Sequence, residues 1–188
     1  ARFNGTAISS TTMLARNTTI KIENNTIENV NKAIVANKGH KEIQVNNNSI
    51  HFARQNGIEI TNNINVSTIN VNNNTLNYCA GNAVLLSANA SKLGNVVIKN
   101  NSITGGGLTT ANGQGSVLTY TGIAVLEPTK AADKTYLSFE IKDNTMNKVW
   151  FGVKLSNIIE SKIQPDRNPY GSEIIQGITI NYVAATKN

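Results

Sequence analysis

The 188-residue chain holds one cysteine, three prolines, one tryptophan and eleven acidic residues, and only 5% of it is aromatic. Cys79, the lone thiol, forms no intrachain disulfide and has no second cysteine with which to build a metal site; it is expected to be a small buried apolar residue. The shortage of aromatics, beside 39% hydrophobic residues drawn mostly from Ile, Val, Leu and Ala, suits a long narrow core better than a round one. Apolar runs last only a few residues, so no membrane-spanning helix is expected. His40 and His51 have neither an HExxH nor a cysteine context, and no metal or cofactor is expected. Phosphate-binding GxxxxGK[ST] is missing too. Eleven acids against seventeen basic residues leave a net charge of +6 and a pI near 9.5. That balance attracts acidic polymers, but four arginines and no helical reading element argue against a nucleic-acid binder. Beginning at Ala1 without Met, the chain reads as a processed or excised piece.

What the chain does have is repetition. Asn25, Asn48, Asn74, Asn101 and Asn144 each follow an Asn or Asp and precede a Thr or Ser, in the stretches IKIENNTI, IQVNNNSI, INVNNNTL, VVIKNNSI and FEIKDNTM. Their spacings are 23, 26, 27 and 43 residues, in or near the range of stacked solenoid coils. A second segment recurs after each anchor as a small residue, an apolar one, any residue and an apolar one: Ala33–Ala36, Gly57–Ile60, Ala83–Leu86, Gly122–Val125 and Gly152–Leu155. Alternation with period two makes both segments strands with one face inward. Each coil therefore carries at least two strands, a bend at the Asn and an inward residue just after it, namely Ile27, Ile50, Leu76, Ile103 or Met146. Stacked coils would place the five anchors in a ladder, each amide bonded to its neighbours.

This repeat resembles that of right-handed parallel β-helices, the family of pectate lyases, polygalacturonases, alginate epimerases and phage tailspikes. The likeness spans about Asn17 to Asn157 and implies an all-β, single-stranded parallel β-helix of five to six coils. The expected layout is a solenoid over residues 1–160, with an inserted loop at about 104–121 in coil four, a second excursion at 127–135, and a capping or chain-pairing segment over 161–188. Asn4 to Ile8 read as the tail of an earlier coil. In polygalacturonase-like members the catalytic aspartates sit just before the small-Ile-x-Ile strand. The matching positions here are Asn56, Gly81 and Asn82, none of which can act as a general acid or base.

Outward positions of the first strand form two stripes, Glu23–Asn46–Asn72–Lys99–Lys142 and Lys21–Gln44–Asn70–Val97–Glu140. Glu59 and Glu140 are the weak candidates for catalytic carboxylates. Lys99, Lys142 and Lys154 are the candidate contacts to an acidic glycan, and Tyr120 and Trp150 the candidate rings for stacking a sugar. The function expected from the resemblance is recognition of a host cell-surface polysaccharide by a tailspike-like or other extracellular or virion protein, as a homotrimer or with a further domain over the coil ends. The alternatives are a secreted polysaccharide lyase, hydrolase or epimerase, and a purely structural shaft.

Overall fold

The computed structural model describes residues 5–10, 18–37, 40–61, 66–87, 92–105, 108–109, 116–117, 121–126, 135–149, 151–156 and 178–180. In chain order, β1 (Thr6–Ser10) is followed by a first full coil of β2 (Thr18–Glu23), β3 (Thr26–Val30) and β4 (Lys32–Asn37). The next two coils are β5 (His40–Asn46), β6 (Ser49–Ala53) and β7 (Ile58–Thr61), then β8 (Val66–Asn72), β9 (Thr75–Cys79) and β10 (Asn82–Ser87). A fourth has β11 (Lys92–Lys99), β12 (Ser102–Thr104), a small hairpin of β13 (Leu108–Thr109) and β14 (Ser116–Val117), and β15 (Thr121–Leu126). Last come β16 (Thr135–Asn147), which runs through the corner unbroken, β17 (Phe151–Ser156) and β18 (Ile178–Ile180).

Like pairs with like, in parallel, to give three faces. Sheet 1 stacks β2, β5, β8, β11, the first half of β16 and β18; sheet 2 stacks β3, β6, β9, β12 and the second half of β16; sheet 3 stacks β1, β4, β7, β10, β15 and β17. The protein is an all-β parallel solenoid, a β-helix, of about four turns rather than five to six. The five anchors enclose only four turns, and β1 and β18 each add a single strand to one sheet. Sheet 2 is the strand set that alternation does not separate from the corner, because its members have only three to five residues before β16.

The core is a stack of identical contacts. Sheet 1 contributes the column Ile22–Val45–Val71–Ile98–Ile141, sheet 2 the column Ile27–Ile50–Leu76–Ile103–Met146, and sheet 3 the column Ile34–Ile58–Val84–Ile123, all buried. Cys79 is one of these apolar residues, below Ala53 in sheet 2, and burial pushes its thiol up to about 12. At two of the small positions before the sheet-3 strands glycine is required sterically: a Cβ on Gly57 would come within 2.7 Å of the Ala83 carbonyl oxygen, and one on Gly122 within 2.8 Å of the Gly152 carbonyl oxygen.

At the corner between sheets 1 and 2 the repeat acquires its chemistry. Asn24, Asn47, Asn73, Asn100 and Asp143 have φ of 53–60°, the left-handed region that Asn and Asp enter most readily among residues with a side chain. The sharp bend turns the next residue, the anchor, inward. Asn48, Asn74, Asn101 and Asn144 are buried and Asn25 is half-buried. Each anchor's Nδ2 donates to the next anchor's Oδ1 at 2.8–3.0 Å, and its backbone N–H donates to the same oxygen at 2.9–3.1 Å. The second Nδ2 hydrogen of Asn48, Asn74, Asn101 and Asn144 goes to the carbonyls of Ile22, Val45, Val71 and Ile98 in the coil above, at 2.8–2.9 Å. Replacing Asn74 by Ala strands donors and acceptors on both sides and is expected to cost about 1–3 kcal/mol. Asn25→Ala, at the half-buried first rung, should cost less; equal melting temperatures for wild type and Asn74→Ala in thermal unfolding would contradict the ladder.

His40 ties the first coils together. A register shift in the β2–β5 pairing lets it point inward, where Nε2 meets Ser10 Oγ at 3.0 Å and Nδ1 meets Thr18 Oγ1 at 3.2 Å. Burial lowers its pKa below the ordinary histidine value, so the folded state resists protonation more than the unfolded state does. The stability this neutral ring contributes is present above the unfolded value of about 6.5 and is lost as pH falls from there through the folded value. Between pH 7.5 and 5.5 the melting temperature should therefore fall more steeply for wild type than for His40→Gln, and parallel curves would contradict this assignment.

Candidate functional site

Sheet 1 presents a largely polar outer face. Its columns are Thr19–Glu42–Thr68–Asn95, Lys21–Gln44–Asn70–Val97–Glu140 and Glu23–Asn46–Asn72–Lys99–Lys142. Bonds between coils fix much of this surface: Asn46 Nδ2 donates to Glu23 Oε1 at 3.0 Å, and Asn46 Oδ1 and Asn72 Oδ1 accept the backbone N–H of Asn72 and Lys99, each at 3.2 Å. Gln44 Nε2 donates to Glu42 Oε1 at 2.7 Å. Lys99 and Lys142 stack in register at one end. Lys142 Nζ lies 2.7 Å from Glu140 Oε1, and its hydrogen bond holds the Glu140 carboxyl below the usual carboxylate range and raises its own pKa in turn. Both groups are well hydrated, so the pair contributes little to stability.

Sheet 3 differs in character. Its outward column runs Val35–Glu59–Leu85–Ala124–Lys154, of which Val35 and Ala124 are buried while Lys154 is exposed. Glu59 is set in this apolar strip with only 12% of its side chain exposed, 2.9 Å from Lys32 Nζ and hydrogen-bonded by Asn56 Nδ2 at 2.8 Å. Asn56 in turn accepts the backbone N–H and the Nδ2 of Asn82 at 2.9 and 3.1 Å. Asn56 and Asn82 thus form a short ladder that anchors Glu59. Gly81 makes room for it, since a Cβ there would stand 2.7 Å from Asn56 Oδ1 and 3.1 Å from the Gln55 carbonyl carbon. Among the described residues, the buried Asn37 Oδ1 and Thr121 Oγ1, which have no hydrogen-bond partner, also belong to sheet 3.

The two candidate carboxylates are not brought together: Glu59 is on sheet 3 and Glu140 on sheet 1. Among the described residues no acid pairs in register with another, and no cluster of His, Cys, Asp and Glu is suited to a metal. Lys99 and Lys142 share a face, Lys154 occupies a different one, and Tyr120 and Trp150 lie outside the described residues.

The sequence reading passed over an aromatic cluster on the corner from sheet 2 to sheet 3. Phe52 and Tyr78 stack with ring centroids 5.1 Å apart and planes 19° apart, and His51 meets both edge-on at 4.1 and 5.3 Å. All three are half-buried. The signal was present in the spacing, because Phe52 and Tyr78 each lie four residues beyond an anchor, Asn48 and Asn74.

No family model matches the chain, and neither a curated protein nor a solved structure matches it. Gly81→Ala, which would press on the amides behind Glu59 and on the Gln55 backbone, is expected to destabilise by about 1–3 kcal/mol in thermal unfolding; an unchanged melting temperature would show that the corner yields freely.

Proposed function

We propose that this chain is the β-helical segment of an extracellular or virion surface protein, tailspike-like in its use of the solenoid, that binds a polysaccharide with acidic sugars. The observation that carries the reading is the outer face of sheet 1, where amides and hydroxyls held in register end in the Lys99–Lys142 stack. A rigid array of donors and acceptors suits a hydroxyl-rich polymer, because little side-chain entropy is lost when the polymer docks. Glu140 offsets Lys142, so Lys99 is the group that favours an anionic sugar. A homotrimer or a further domain would cover the top coil, where β2 and β3 pair on one side only among the described residues.

Catalysis by a pectate lyase-like mechanism has Glu59 in its favour, a shielded carboxylate on an outer face. Lys32 and Asn56 already engage both of its oxygens, which leaves binding as the stronger reading. Electrophoresis through gels containing alginate or polygalacturonate tests it. The wild type should be retarded, less so as salt rises, with Lys99→Gln weakening binding about two- to fivefold. Unretarded migration in both polymers would overturn the proposal, and release of unsaturated or reducing ends would replace it with an enzyme.

A further inference from the structure

We propose that Phe52 and Tyr78, with His51 against their edges, form a sugar-ring stacking subsite on the sheet 2 to sheet 3 corner, away from the lysine end of sheet 1; this rests on the glycan-binding reading above. The first support is where the rings sit. Asn29, Phe52 and Tyr78 occupy one column of successive coils, and Lys148 follows at the equivalent place two residues beyond Met146. All four have φ of 53–60°, so the corner itself demands left-handed backbone. Asn29 meets that demand at low steric cost. Phe52 and Tyr78 meet it against the preference of bulky side chains, and such outliers gather at binding sites. The rings are not needed to make the turn.

The second support is what surrounds them. Outward columns Thr26–Ser49–Thr75–Ser102–Thr145 and Glu28–His51–Asn77–Thr104–Asn147 run along sheet 2 beside the stack. At the level below Tyr78 comes Gly105, which brings no side chain to lie against the ring. A pyranose has an apolar C–H face for the negative face of an aromatic ring, and hydroxyls at its rim for the neighbouring amides and hydroxyls. An apolar protein surface would leave those polar groups buried and unpaired. The mixed surface therefore favours a sugar over a protein partner.

The test uses Phe52→Asn and Tyr78→Asn, which give the corner the residue that position 29 already has. Both should keep a melting temperature near that of wild type while losing about tenfold in affinity, measured by electrophoresis through gels containing dextran, hydroxyethyl cellulose, alginate or polygalacturonate. Phe52→Leu keeps apolar bulk without a π face and serves where an Asn variant fails to fold. Folded variants with weakened retardation establish the subsite. Unchanged retardation in all variants overturns it and leaves the glycan reading standing. Wild type unretarded by any of the four polymers overturns both. If light scattering then shows wild type self-associating and Phe52→Asn monomeric, the patch is a contact between protein chains.

Discussion

A buried side-chain amide must find acceptors for two N–H groups and a donor for one carbonyl, and the rest of this solenoid is arranged around meeting that demand once per coil. The anchor's position depends on its predecessor, whose left-handed backbone bends the chain sharply enough to turn the amide inward. Its partners depend on the coil above and the coil below, because Oδ1 accepts from the coil above while Nδ2 donates to both. Register is thereby fixed by polar chemistry as well as by the apolar columns. A slip by one residue would leave every anchor unpaired and turn each strand's apolar side to water.

Rigid register has a consequence for the surfaces. Outward side chains of successive coils are held one above another at a spacing of about 4.8 Å, so each sheet presents straight columns rather than scattered groups. On sheet 1 those columns are amide and hydroxyl with a lysine end; on sheet 3 they are apolar around one tethered carboxylate; beside sheet 2 they frame an aromatic stack. The same scaffold thus offers three chemically different faces, and the proposed glycan contacts differ by face: charge on sheet 1, ring stacking beside sheet 2.

How much of this was legible in the sequence follows from how each feature is encoded. The anchors were plain, because burial of an amide tolerates little substitution and the left-handed position before it is Asn or Asp at all five corners. Columns on sheet 1 followed from alternation alone. The aromatic stack was obscured because its column is defined by backbone rather than side chain, and it holds Asn29, Phe52, Tyr78 and Lys148 with no shared chemistry. Glu59 was named without its partners, since Lys32 and Asn56 reach it from the neighbouring coil and from three residues earlier, contacts that no single-strand pattern displays. The coil count came out high because five anchors enclose four turns and the lone strand β1 looks like a further coil in one dimension.

The most direct test of the ladder is hydrogen exchange of asparagine side-chain amides, followed by NMR. Asn48, Asn74 and Asn101, buried with Nδ2 hydrogens donated within the stack, should exchange slowly, while the exposed Asn47, Asn73 and Asn100 beside them exchange fast. Equal exchange rates for the two sets would contradict the account, because the corner amides would then be open to water and could not hold the coils in register.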